Sequence, residues 1–354
     1  MLFTHLRMLF FVDLSEVAGN SNLLIKILYL LPGLGHYAVM IFFVLSGFLV
    51  GGSVLRGRMD RKFSPSLYAT NRLTRLWVVL IPALLLGAIW DHSRILLFGT
   101  SGIYALPPGS VARFAVSPVA GSVMFGNALF LQGILTTNFG SNGALWSLSY
   151  EFWYYVLFPL IVLAFPAEEG GVGYGYTVLY VTTSLVVLFF IGQQRVIYFL
   201  IWLLGAAINL APETSGRRAR VWIATATVAL LLVLAAVRHK PITYLPDLAV
   251  GVASAFLIFA LLCSRARSRS GLYSRTARRL ADSSYTLYVV HLPALVFLSA
   301  WLVPLRRWQP DVAHLAIVAG LGIFALAYAF GVAQFTEYRT GAVRSRVIAV
   351  LGLH

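Results

Sequence analysis

Residues 35–52 read GHYAVMIFFVLSGFLVGG, a run with no Asp, Glu, Lys or Arg in which, after His36, bulky apolar side chains are interrupted only by small ones. About 20 such residues, wound into a helix at about 1.5 Å per residue, reach across a hydrocarbon core about 30 Å thick. The quoted run extends back to residue 28, and comparable runs follow at 74–90, 145–165, 174–192, 196–211, 221–237, 245–263, 283–303 and 312–336. Barrel strands would be shorter and would alternate apolar with polar residues. Of the 354 residues, 59% are hydrophobic and 11% charged, where a soluble domain carries about 25% charge. The solvent for this surface must be lipid. The fold class is therefore all-α, a polytopic membrane bundle. A tenth run, MLFTHLRMLFFVDLSEV at 1–17, begins abruptly and is expected to be the second part of a helix whose first half lies upstream. No 20–50-residue repeat and no polar linker divides the chain, so residues 1–354 read as a single integral-membrane domain.

The formal net charge of +15 sits in short loops between apolar runs, not along one soluble face. That excludes a nucleic-acid surface and points to membrane orientation, because basic loops stay cytoplasmic. Arg56, Arg58, Arg61, Lys62, Arg72 and Arg75 form one cluster; Arg265, Arg267, Arg269, Arg275, Arg278 and Arg279 form another. If the apolar segment 119–134 crossed, these clusters would fall on opposite faces and Arg217, Arg218 and Arg220 would lie outside. If it only dips into the bilayer, all of them lie inside together with Arg339, Arg344 and Arg346. The expectation is ten crossings and one re-entrant or interfacial segment in the plasma (inner) membrane. Both termini are then cytoplasmic and residues 91–144 form a long external segment. Cys263 is the single cysteine, so no disulfide can form within the chain.

Polar side chains inside apolar runs are the informative residues, since each is costly in lipid unless it faces a cavity or a partner. His5 and Arg7 stand in the first run, with Asp13 and Glu16 at its end. His36 precedes a run carrying Ser46 and the glycines Gly33, Gly35, Gly47, Gly51 and Gly52; small residues there admit a neighbouring backbone or a thin ligand. Arg72 and Arg75 lie three residues apart, hence on one helix face. Such a pair suits bidentate capture of phosphates, and simple positive-inside anchoring would also explain it. Glu151 is the one acid in LWSLSYEFWYYVLFPL (145–160), surrounded by Trp146, Tyr150 and other aromatics of which some form an interfacial belt. In SYTLYVVHLPAL (284–295), His291 precedes Pro293, a proline that frees a backbone carbonyl. No nucleotide-binding glycine loop, CxxC, HExxH or GxSxG pattern occurs, and nothing calls for a metal. These residues alone leave three classes open: a membrane enzyme, a transporter or flippase, and a non-catalytic scaffold.

FFVLSGFLVGG (42–52), NRLTRLW (71–77), LWSLSYEFWYYVLFPL and SYTLYVVHLPAL together, and in this order, resemble the serial motifs of the acyltransferase 3 family. The resemblance covers nearly the whole chain. It implies ten core helices, acetyl-CoA or another acyl-CoA as donor, and a glycan or other hydroxyl-bearing envelope or secreted molecule as acceptor. It also implies an essential histidine in the first helix, here His5 in THLRMLFFVD (4–13). The family commonly has an arginine eleven residues before that histidine; the chain begins too late to contain one, and Arg7 lies on its other side. On this reading Arg72, Arg75 and Arg56 hold the CoA phosphates, and the pantetheine arm passes the glycine-rich helix. His5 is the general base, with an acyl-histidine intermediate as the alternative course. Glu151, also a catalytic candidate, orients the base or shapes the acceptor site with Tyr150 and Trp146; His36, Ser46 and His291 are further substrate-binding candidates. The oligomeric state is not legible in the sequence.

Overall fold

The computed structural model describes residues 1–17, 34–99, 117–165, 174–211, 219–237, 243–264 and 280–353, with single positions between 25 and 30 and at 274 and 277. Gly33, Arg217, Arg218 and the cluster Arg265, Arg267, Arg269, Arg275, Arg278 and Arg279 lie outside the described residues. The described residues are 83% helical and contain no strand. The described helices are α1 (Leu2–Phe10), α2 (Gly35–Met59), α3 (Pro65–Phe98), α4 (Gly121–Ala128), α5 (Trp146–Ala164) and α6 (Tyr174–Ile191). They continue with α7 (Gln193–Ile208), α8 (Ala219–Val237), α9 (Tyr244–Leu262), α10 (Ser284–Leu302), α11 (Val312–Phe335) and α12 (Thr340–Leu351). They fall into two compact units: residues 1–35, 69–149 and 269–354 form the first, and residues 36–68 and 150–268 the second.

Among the described residues, eight helices are long and apolar enough to cross a membrane. The α7 helix coincides with the expected run at 196–211 but has only 16 residues. The expected run at 1–17 ends in a short 3₁₀ turn at Leu14–Glu16 and is α-helical only through its 9-residue α1. There the chain straightens because Val12 N donates to the Trp308 carbonyl (3.0 Å) and Trp308 N to the Phe10 carbonyl (2.7 Å). The 119–134 stretch yields only the 8-residue α4, far too short to cross. The α3 helix runs for 34 residues and outlasts the apolar run 74–90 at both ends. It thus takes up the first part of the segment expected to be an external loop, and residues 100–116 of that segment lie outside the described ones. Hydropathy marks the part of a helix that suits lipid, not where its hydrogen bonds stop.

Lipid is also what the surface requires. In α6 the chain buries Ser184 and Ile191, while Phe189 is 90% exposed and Leu185 61%. Apolar faces of this extent do not persist in water. In the first unit, Leu6, Leu9 and Phe10 of α1 pack with Leu292, Leu295 and Val296 of α10, and α11 closes over both. In the second, α2 changes to a π-helical turn at Gly47–Gly51 and α7 lies directly against it. A Cβ at Gly47 would run into the Trp202 carbonyl, and one at Gly205 into the Val44 carbonyl. Close backbone packing is therefore what these glycines provide.

Candidate functional site

Helix α10 is interrupted at Pro293, which has no N–H to give to the carbonyl one turn earlier. That carbonyl belongs to Val289, and it accepts instead from Asn142 Nδ2 at 2.8 Å. The loop ahead of α5 is fastened to the same turn by Tyr288, whose hydroxyl donates to the Ala144 carbonyl (2.9 Å) and lies 2.6 Å from Ser147 Oγ. Two residues past Val289 comes His291, which is 1% exposed. Packing of α1 on α10 brings His5, 4% exposed, against it. His5 Nδ1 lies 2.8 Å from His291 Nε2, and the rings stack with centroids 5.0 Å apart and planes 18° from parallel.

The hydrogen-bond chain assigns the tautomers. His291 Nδ1 is 2.6 Å from the Leu287 carbonyl, which can only accept, so Nδ1 carries the proton. In a neutral ring Nε2 is then the acceptor, and His5 must donate to it from Nδ1. The lone pair of neutral His5 therefore resides on Nε2. Leu287 carbonyl, His291 and His5 form one directed hydrogen-bond chain that sets the tautomer of both rings.

Two charged groups border this unit. Asp13, beyond the end of α1, accepts from Arg7 Nη1 and Arg307 Nη2, each at 3.0 Å. Partial burial raises its pKa, but the hydrogen bonds and charges of Arg307 and then Arg7 outweigh this and hold the carboxyl below its ordinary range. Elsewhere Glu337 accepts from Thr286 N (3.0 Å) and Thr286 Oγ1 (2.8 Å) at the start of α10, within electrostatic reach of Arg75. On α3, Arg75 is exposed and Arg72 half-buried. Helical spacing puts both on one face, as expected.

The second unit holds the other polar clusters. Ser46, at the entry to the π turn, donates to Glu151 Oε1 (3.1 Å) and accepts from Trp202 Nε1 (3.2 Å); Tyr155 donates to the same carboxylate oxygen. Ser46 and Glu151 are thus brought together. His36 Nε2 lies 2.9 Å from Asp247 Oδ1, and the Tyr198 hydroxyl donates to Asp247 Oδ2 at 2.5 Å. The Arg195 guanidinium sits 4.7 Å over the Tyr150 ring, and Tyr150 in turn packs beside Tyr198, centroids 5.8 Å apart. Arg56 donates to Asn209 Oδ1 at 3.1 Å. Trp146 is half-buried at the first position of α5.

Of the expected residues, the structure unites His5 with His291, Ser46 with Glu151, and Arg72 with Arg75 on one helix. His36 and Tyr150 gain partners the sequence reading missed: Asp247, Tyr198 and Arg195. A signal for two of these was present, since Asp247 in YLPDLAVG and Arg195 in QQRVIYFL are lone ionisable residues beside or within apolar runs. A family model described as an acyltransferase domain, of the acyltransferase 3 type, matches residues 1–333 of the chain. No curated protein and no solved structure matches it.

Proposed function

The chain belongs to the acyltransferase 3 family, and from that membership we propose that it moves an acyl group, by preference acetyl, from cytoplasmic acyl-CoA to a hydroxyl of a glycan or another envelope or secreted molecule. The hydrogen-bond chain from Leu287 through His291 to His5 is the observation that supports this reading, because it fixes the tautomer of a buried histidine with its lone pair on Nε2. His5 Nε2 takes the proton of the acceptor hydroxyl as that oxygen attacks the thioester carbonyl. The same nitrogen returns the proton to the departing sulfur, so that an ester and CoA thiol leave and the imidazole is neutral again. His5 keeps its donor bond to His291 throughout, which stabilises the transient imidazolium through a neutral partner.

Arg72 and Arg75 fit the phosphates of the donor: they share a face of α3, and Arg75 is open to solvent. Glu337, in reach of Arg75, serves to position that side chain. From Arg75 to Asp91 near the far end of α3, a rise of about 1.5 Å per residue gives roughly 24 Å. That span accommodates an extended pantetheine arm and leaves the acceptor to approach from the other end of the helix. The basic loops then lie on the cytoplasmic side with both termini, in the plasma membrane. Arg56, at the basic end of α2, is assigned to the cytoplasmic side by the same charge rule. In the second unit, the Glu151–Ser46–Tyr155–Trp202 cluster holds α2 and α5 in place, and His36–Asp247–Tyr198 with Tyr150 and Arg195 offers polar side chains for a substrate.

His5→Ala is expected to abolish transfer from radiolabelled acetyl-CoA in membranes. Equilibrium binding of acetyl-CoA to the purified variant should remain. Full transfer activity in His5→Ala would refute the assignment.

A further inference from the structure

The loop that precedes α5 leaves three buried oxygens of one neighbourhood without a hydrogen-bond partner: Asp91 Oδ1, Ser141 Oγ and Asn142 Oδ1. The residues are 1%, 2% and 2% exposed. They are held together deliberately. Ser141 N donates to Asp91 Oδ2 at 2.8 Å, and the Ser141 side chain lies beside the same carboxylate. Gly140 adopts φ +55°, and a Cβ there would strike Asp91 Oδ2, so only glycine lets the loop close over the carboxylate. Asn142 spends its Nδ2 on the Val289 carbonyl, one half-turn before His291 on α10, which turns its Oδ1 into the surplus acceptor. A buried oxygen left unpaired forfeits the hydrogen bonds it would make in water unless something donates to it.

We propose that Asp91, Ser141 and Asn142 form the acceptor subsite, a hydrogen-bond-accepting wall that takes the vicinal hydroxyls of an uncharged sugar. It rests on the acyl-transfer reading for its role, and it specifies that reading by naming which residues hold the acceptor and which class of acceptor they hold. Carboxylate and amide oxygens accept only, and a hydroxyl accepts or donates, so the matching group presents several O–H donors. An ammonium would satisfy the oxygens too, but Arg94 lies one turn along α3 from Asp91 and within electrostatic reach of it, which disfavours a second cation. Asn142 ties the wall to the turn of α10 that carries His291, in the same unit as the His5 base.

The test uses the full-length protein in detergent, titrated with the methyl pyranosides of glucose, galactose, mannose and N-acetylglucosamine, and with ethanolamine, by saturation-transfer NMR. At least one pyranoside should bind saturably. Ser141→Ala, which deletes the hydroxyl from the wall, should weaken that binding roughly three- to tenfold with an unchanged melting temperature. Asp91→Asn should weaken it more than tenfold: its carbonyl will turn to Ser141 N–H, which puts an NH₂ donor where the free oxygen stood. Failure of every pyranoside to bind would overturn the subsite and leave ordered water as the partner of these oxygens. Binding unaltered in both variants would overturn it as well, and preferential binding of ethanolamine would overturn the neutral-sugar assignment. Acetyl transfer to the bound pyranoside is measured separately: sugar binding without transfer from acetyl-CoA would sink the acyl-transfer reading and leave the subsite standing.

Discussion

His291 acts on the reaction only through His5, so it is a positioning residue, and the relay tells what should replace it. Glutamine can accept from His5 Nδ1–H with its side-chain oxygen; alanine cannot, and without an acceptor the His5 ring is free to move its proton to Nε2, the nitrogen that must be basic. His291→Ala is expected to lower kcat for acetyl transfer by about 10²-fold, in the range typical of a general base lost from register. His291→Gln should recover much of that loss. Equal loss in both variants, with equal melting temperatures, would reduce His291 to a packing residue. The sequence displayed both histidines, but nothing in it said that they touch: they are partners across nearly the whole length of the chain, and only the docking of α1 on α10 joins them. The same holds for Asp247, visible as an acid beside an apolar run, whose partners His36 and Tyr198 come from α2 and α7.

At the scale of the helix, two prolines are handled in the same way. Pro293 strips the Val289 carbonyl of its helical donor and Asn142 replaces it; Pro159 in α5 strips the Tyr155 carbonyl, and the Tyr68 hydroxyl donates to it at 3.1 Å. In each case a side chain from elsewhere repairs the ladder, as lipid, unlike water, cannot. A double-mutant cycle follows. Tyr68→Phe should destabilise the protein by about 1–2 kcal/mol in the native background. In a Pro159→Ala background, where residue 159 regains an N–H for the Tyr155 carbonyl, the same change should be close to neutral. Chemical denaturation in mild detergent measures both, and additive losses would show that the tyrosine does not serve that carbonyl. The prolines were legible in the sequence as sites of a freed carbonyl; their compensating donors were not, because a side chain's reach to another helix is fixed by packing. Helix ends were misjudged for a related reason. Hydropathy bounds the run at 74–90, yet the backbone bonds continue beyond it through Arg72 and Asp91, which is how one helix carries both the proposed donor grip and the proposed acceptor wall.

For the molecule as a whole, the unpartnered apolar faces of α6 and α8 make a prediction that would be absurd for a soluble protein. Leu185, 61% exposed, should tolerate a charge if water surrounded it. In a bilayer, Leu185→Arg near the middle of α6 is expected to cost about 2.5–3.5 kcal/mol of insertion free energy. A glycosylation-reporter insertion assay on the α6 segment reads this directly, and unchanged insertion would place that face against water or protein. The amino-acid sequence by itself determined that this is a helical membrane protein, which of its runs suit lipid, and that its ordered motifs belong to a family of acyltransferases. Those properties depend on local composition and on letters in a fixed order. Only the tertiary structure decided that the helix within 119–134 ends after 8 residues, that Gly47 and Gly205 serve close backbone packing, and that His5 meets His291. It alone exposed the unsatisfied oxygens of Asp91, Ser141 and Asn142. Each of these depends on contacts between residues far apart in the chain, and in lipid the geometry of such contacts, not hydropathy, settles where a polar group can be satisfied.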